Sequence, residues 1–402
     1  SLSNLEKYKL LENGHFSCEP GFLLNEKYRV KKYLGQGTFG RVYQCERRGY
    51  GYDVAVKVVR AVKKYYRAAE VETMILTHIR NLPGWRSSNT VGLISYFDCM
   101  GHMCLVFKLY GPSVYRMMKM NQFLPFPIEY AKVMSLQLTW AIQFLHKNGI
   151  AHTDLKPENI LFRQSDLGVI ALKKPLGEIM TLPKTCVVRL IDFGNAVYDT
   201  MHHSRVACTR HYRPPEIILG SSWDKSLDIW SLGCVLFEIV TGYTLFQTHD
   251  NLQHLTMMEK LLGPIPQELM RRGLNLFQFA KYHTGVGYKL KPLVTDEADP
   301  KSVELQMEVE ELIPIKNYFM KYDSTEFKSN LHGNFYKTIM ACLAYDPKVR
   351  PTSSAVYRML LKSEFSNYET VFGEVKHKYS LAPPSKKGET KDTKTPTTNQ
   401  QT

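Results

Sequence analysis

The spacing of apolar positions changes character once along the chain. Residues 28–34, 41–45 and 53–59 are short runs rich in β-branched and aromatic side chains, separated by glycine-containing turns, and predict strands of one antiparallel sheet. The next stretch, 65–82, places Ala68, Val71, Ile75 and Ile79 at helical spacing and predicts one helix across that sheet. Residues 104–109 return to a strand pattern. Beyond them Ile128, Ala131, Met134, Leu138, Ala141, Ile142 and Leu145 mark a helix that stops at Asn148-Gly149, a good C-cap. Further helices are predicted at about 226–241, 251–262 and 330–343. The class is therefore α+β: a small β-rich lobe, 28–108, precedes a larger α-rich lobe, 109–365, with the connection near 108–111. No internal repeat is visible. Residues 1–27 look like an N-terminal extension, and 366–402 like a C-terminal one that is expected to be disordered from about 382, where Pro, Lys, Thr and Gln replace apolar residues.

Length and composition fit this division. With 402 residues, 44% apolar and 22% charged, the chain can build two lobes with their own cores and a cleft between them. No run approaches the roughly 18 uncharged apolar residues of a membrane span, and the first ten residues lack the apolar core of a signal peptide. An intracellular protein is expected, without membrane attachment. The eight cysteines are scattered, with no CxxC pair and no His at metal spacing, which suits packed, reduced thiols. The net charge of +14 would favour polyanions, but it is spread widely and no recognition motif accompanies it, so direct nucleic-acid binding is not expected.

Three constellations carry chemistry. In Gly35-Gln36-Gly37-Thr38-Phe39-Gly40-Arg41-Val42 the glycines allow a tight turn and bring backbone N–H groups close to phosphate oxygens. Alone this is ordinarily just a turn, and a dinucleotide fold is excluded because a strand, not a helix, follows the glycines. In Val54-Ala55-Val56-Lys57 a strand presents an ammonium seventeen residues after Gly40. Glu72, fifteen residues later on the inner face of the predicted helix, can hold that lysine; Glu70 lies off that face. The third set is His152-Thr153-Asp154-Leu155-Lys156-Pro157-Glu158-Asn159 with Ile191-Asp192-Phe193-Gly194. These are the polar groups phosphoryl transfer requires: Asp154 to take or orient a hydroxyl proton, Lys156 to offset charge on the moving group, and Asn159 and Asp192 to bind Mg²⁺. ATP and Mg²⁺ are the implied cofactors. Adenine should lie between Leu34, Val42 and Ala55 above and Leu161 below, with hydrogen bonds from the backbone of Lys108 and Tyr110 and with Phe107 closing the back. Glu216 is placed to pair with Arg350, and Asp228 to brace the catalytic loop.

Over roughly 28–365 the chain resembles eukaryotic protein kinases, bilobal enzymes that phosphorylate protein hydroxyls, and three features narrow the resemblance to the LAMMER, or CLK, family. His152-Thr153-Asp154 carries threonine where most kinases have arginine. The run Gln253-His254-Leu255-Thr256-Met257-Met258-Glu259-Lys260, followed by Leu261-Leu262-Gly263-Pro264-Ile265-Pro266, is similar to the signature EHLAMMER...LGP, with Thr256 for Ala and Lys260 for Arg. The third feature is His202-His203-Ser204 with Thr209-Arg210-His211-Tyr212-Arg213. The resemblance implies an inserted hairpin, about 164–187, and Ser/Thr specificity with tyrosine autophosphorylation. It also implies protein substrates rich in Arg-Ser repeats, the splicing factors, and a nuclear location. A role on kinetochore proteins in chromosome segregation is the alternative within the family. The net +14 would repel a basic substrate unless acidic groups such as Glu158 lie near the cleft. Thr153 removes the arginine that normally clamps an activation-segment phosphate, which predicts activity without that phosphorylation. A pseudokinase scaffold is set aside because every expected catalytic group is present, and a small-molecule kinase because 210–216 resembles a peptide platform. A monomer is expected.

Overall fold

Strand after strand in the first hundred residues finds its partner across a tight turn, because β-branched and aromatic residues alternate with polar ones there. The computed structural model describes residues 4–163, 167–171, 179–200, 207–294, 299–320 and 330–362. Its first lobe contains β1 (Tyr8–Leu10), β2 (Phe16–Cys18), β3 (Leu23–Asn25), β4 (Tyr28–Gln36), β5 (Gly40–Arg47), β6 (Tyr52–Val59), α1 (Lys63–Asn81), β7 (Leu93–Cys99) and β8 (His102–Lys108). Six of these strands form an antiparallel sheet in the order β3-β4-β5-β6-β8-β7.

Two details depart from the sequence pattern. Val71 is 41% exposed, and α1 buries Ala69, Glu72, Thr73, Ile75, Leu76 and Ile79 instead. The helix has apolar residues on more than one side, so spacing alone misplaces its inner face by one position. Residues 8–25 are also more than a flanking stretch. They carry β1, β2 and β3 and insert Phe16 and Phe22, both fully buried, against Tyr28 and Tyr43 in the small lobe's own core.

The larger lobe holds α2 (Val114–Met120), α3 (Ile128–Lys147), β9 (Ile150–Ala151), β10 (Ile160–Phe162), β11 (Leu167–Ala171), β12 (Ile179–Pro183), β13 (Val188–Leu190), β14 (Val197–Tyr198), α4 (Pro215–Leu219), α5 (Leu227–Thr241) and α6 (Asn251–Leu262). Helix α5 is mostly apolar and every one of its residues is buried, its polar members Asp228, Ser231, Glu238 and Thr241 included, as expected for a helix with neighbours on all sides. Gly233 lets it approach the helix Asn330–Cys342, since a Cβ there would lie 2.8 Å from Cys342 Cβ. Strands β11 and β12 pair as a hairpin anchored to the lobe by Asn121, which bonds both N–H and C=O of Thr181 at 2.8 Å, and by Tyr130, whose hydroxyl donates to Pro183 O at 3.1 Å. Residues 202–204 and the C-terminal extension from 363 onward lie outside the described residues. Among the described residues no helix is long and apolar enough to cross a membrane, and all eight cysteines are free.

Candidate active site

Lys57 sits in mid-strand on β6, paired with Val42 on one side and Leu105 on the other, so its backbone is fixed by two neighbours. Its Nζ donates to Glu72 Oε1 and Oε2 at 3.1 and 3.0 Å and to Asp192 Oδ1 at 2.8 Å. Glu70 faces solvent. Burial opposes the ammonium's charge, but Asp192 and Glu72 outweigh it and hold the pKa of Lys57 above its ordinary value. The same ion pair draws Asp192 below the usual carboxylate range against its own burial, whereas at Glu72 burial prevails and the pKa is raised.

The catalytic-loop candidates are positioned by a buried carboxylate below them. Asp228, at the start of α5, accepts the backbone N–H of His152 and of Thr153, each at 2.8 Å, and lies 2.9 Å from His146 Nε2. Burial would raise its pKa, but these donors and the neighbouring imidazoles lower it. Thr153 adds its own tie, its hydroxyl donating to Asn195 O at 2.8 Å. The loop presents Asp154, which accepts Lys156 Nζ at 2.8 Å, Asn159 Nδ2 at 3.2 Å and Thr209 Oγ1 at 2.6 Å. Lys156 Nζ also donates to Thr209 Oγ1 at 2.9 Å. Thr209 is the member of this set that carries no assigned role in the motif Thr209–Arg213, because its contact with Asp154 bridges 55 residues of chain.

Backbone strain collects at the same place. Among the described residues seven non-glycine residues have positive φ, and three of them are Thr153 (+66°), Asp192 (+62°) and Cys208 (+65°). Such angles cost about 1–3 kcal/mol each and persist where surrounding bonds enforce them. Thr153 and Cys208 immediately precede Asp154 and Thr209, which meet at 2.6 Å, and Asp192 itself meets Lys57 at 2.8 Å.

The flap glycines divide by role. A Cβ on Gly40 would lie 2.2 Å from Val58 O, so packing alone demands glycine there. At Gly35 and Gly37 a Cβ would meet nothing within 4 Å, which leaves their backbone approachable from outside. Below the flap, Val42, Ala55, Phe107, Tyr110 and Leu161 are half-buried, while Leu34 and Lys108 are exposed. Ala55 pairs with Phe107, and Leu161 bridges to Ser113 on the other side of the connection. Half-buried apolar side chains thus come from the small lobe's sheet, at Val42, Ala55 and Phe107, and from β10 of the large lobe, at Leu161.

Oxygen donors from one carboxylate and one amide, Asp192 and Asn159, fit Mg²⁺, which keeps water and phosphate ligands instead of an all-protein cage. Among the described residues no cluster of three or more His, Cys, Asp or Glu is arranged for a metal ion.

Helix α6 carries the signature-like run. Leu255, Met257 and Met258 are buried, whereas Thr256 is half-buried and Lys260 exposed, so both departures lie on the outer side. Gln253 is a third departure, from Glu. Its Nε2 donates to Glu308 Oε2 at 2.6 Å and to Leu305 O at 3.1 Å, a contact in which a glutamate would face a second carboxylate. Burial pushes His254 down to about 3, so it is a neutral core residue.

This arrangement is that of a known class. A family model described as the protein kinase domain matches residues 28–365. A crystal structure of a kinase domain superposes with a TM-score of 0.76 at 33% identity, covering 87% of this chain and all of that one. Human dual specificity protein kinase CLK4 is 38% identical over 342 residues, 85% of this chain and 67% of the relative. Human CLK2 is 46% identical over 262 residues, 64% of this chain and 52% of the relative. The dual specificity protein kinase lkh1 of Schizosaccharomyces pombe is 41% identical over 280 residues, 69% and 40% of the two chains. The chain thus spans between 40% and 67% of the length of these relatives. It belongs to the CLK, or LAMMER, family of protein kinases.

Proposed function

We propose that this chain transfers phosphate from ATP to serine and threonine hydroxyls of proteins, and to its own tyrosines. The observation that carries this reading is the convergence of Lys57, Glu72 and Asp192 at one end of the cleft with Asp154, Lys156 and Thr209 beside it. Lys57 holds the α- and β-phosphates and Glu72 keeps it in place, while the flap around Gly35, Gly37 and Gly40 covers them. Bound Mg²⁺, held by Asn159 and Asp192, supplies neutralisation of phosphate charge. Asp154 orients the acceptor hydroxyl and takes its proton at a carboxylate oxygen, with Lys156 offsetting charge beside it. Placement and electrostatics supply most of the rate, because phosphoryl transfer has a loose transition state.

For substrates the reading is basic, Arg-Ser-rich splicing proteins in the nucleus. Its support is family membership together with Glu158, an exposed carboxylate four residues after Asp154 in a chain of net charge +14. The test compares an Arg-Ser repeat peptide with one in which alanine replaces each arginine, and with chromosome-segregation proteins, followed by phosphoamino-acid analysis of the kinase itself. A clear preference for the Arg-Ser peptide that Glu158→Ala weakens supports the reading. Equal use of both peptides, or preference for chromosomal proteins, removes it.

A further inference from the structure

The residues before Tyr28 lie outside the matched family domain, yet they touch the phosphate flap: Arg41 Nη1 lies 3.5 Å from Phe16 O, and Arg60 makes the larger set of contacts. Arg60 follows β6, two strand positions past Val58, and reaches three elements. Its backbone N–H donates to Phe39 O at 2.9 Å, and its Nη1 lies 3.4 Å from Thr38 O, both at the flap tip. Its Nε donates to Asn13 O at 2.8 Å, and Nη2 donates to the same carbonyl. Its guanidinium stands 4.4 Å from the ring centroid of Tyr65, in the first turn of α1. Beside it Ala61 N donates to Gly14 O at 2.9 Å.

The flap tip continues this network into the catalytic set. Phe39 packs edge-on against Tyr65 at 5.8 Å, and its centroid lies 5.5 Å from Lys57 Nζ. A Cβ on Gly194 would be 3.5 Å from the Phe39 ring, so the tip reaches the Asp192-Phe193-Gly194 turn. Gly14 fits its place only as glycine: its φ is +79°, and a Cβ would lie 2.7 Å from Val62 Cγ2.

We propose that Arg60 is a positioning residue for the nucleotide, which uses the carbonyl of Asn13, in a segment also tied at Gly14 by the Ala61 N–H, as a fixed post from which to hold the flap tip over Lys57. The segment 11–18 is then a working part of the nucleotide site. A guanidinium suits this task because its planar fork serves several carbonyls at once, which an ammonium on a mobile stem does not. This inference rests on the kinase reading above for its substrate, ATP.

The experiment uses the full chain and measures both the KM for ATP and the dissociation constant of Mg²⁺–ADP. Arg60→Ala should raise both about tenfold, with kcat at saturating ATP falling much less and the KM for peptide unchanged. Gly14→Val, which pushes the segment off Val62, should have the same effect, and the double variant should be no worse than either single one. Arg48→Ala is the control: it loses a 3.0 Å bond to Glu26 O in the same lobe, away from the flap, and should leave nucleotide binding at the wild-type value. Hydrogen exchange at residues 35–41 should rise in Arg60→Ala at an unchanged melting temperature, which separates a released flap from a damaged fold. Nucleotide constants within twofold of wild type in Arg60→Ala, or effects of the two variants that multiply, would overturn the proposal. A wild-type protein that binds Mg²⁺–ADP but transfers nothing would instead contradict the kinase reading and leave this comparison intact.

Discussion

Arg350 and Glu216 meet across 134 residues of chain in a bidentate pair, Nη1 to Oε1 at 2.6 Å and Nη2 to Oε2 at 2.7 Å. Both side chains are almost fully excluded from solvent, and Arg350 also donates to Ala344 O and Tyr345 O at 2.8 and 3.1 Å. The pair ties the end of the activation segment to the base of the large lobe. Removing one partner leaves a buried charge, so Arg350→Ala should lower unfolding free energy by about 3–5 kcal/mol, read by denaturant titration. A loss below about 1 kcal/mol would mean that the pair behaves as a surface one.

A second buried carboxylate sets a pH dependence. Burial raises the pKa of Glu238 from 4.5 to about 7, while its hydrogen bonds from Tyr212 and Thr244, at 2.7 and 3.1 Å, pull the other way. The folded state therefore holds a proton that the unfolded state releases between these two values, and stability attributable to this group falls as pH rises through the window. Glu238→Gln mimics the protonated form. Relative to wild type it should gain up to about 3 kcal/mol of stability on going from pH 4.5 to pH 7.5, measured by urea unfolding at each pH. A difference between the two proteins that does not change with pH contradicts this.

Thr153 substitutes local bonds for a phosphate clamp. Its N–H and hydroxyl already bind Asp228 and Asn195, each at 2.8 Å, so the loop that carries Asp154 is held without an activation-segment phosphate. Phosphatase-treated protein should keep its kcat to within about threefold, where a clamped kinase depends on the added charge. Near-complete loss of turnover after treatment would remove the idea.

Much of this was legible in the residues because phosphoryl chemistry demands particular groups in a fixed order. Lys57, Glu72, Asp154, Asn159 and Asp192 announce themselves by spacing, and helices such as α3 and α6 by their periodicity, with the Asn148-Gly149 stop marking the end of α3. What escaped is what only the folded chain brings together. Thr209 meets Asp154 through a bend at Cys208 that no propensity foretells. Strand β7 is half-exposed at the sheet edge and mixes Ser95 and Asp98 with apolar residues, which blurs its alternation. Val71 looks interior by composition but faces solvent, because α1 carries more apolar residues than its buried face can hold. Residues 8–25 are too short and too broken by Gly14 and Gly21 to read as strands, yet Phe16 and Phe22 complete a core.

In the proposed reaction Asp154 acts on the acceptor hydroxyl, beside a nucleotide held by other residues. Turnover of a basic peptide by Asp154→Asn, set against Mg²⁺–ADP binding by the same protein, tests it most directly. The expected result is a fall in kcat of about a hundredfold or more with nucleotide affinity within about twofold of wild type. Wild-type turnover from that variant would contradict it.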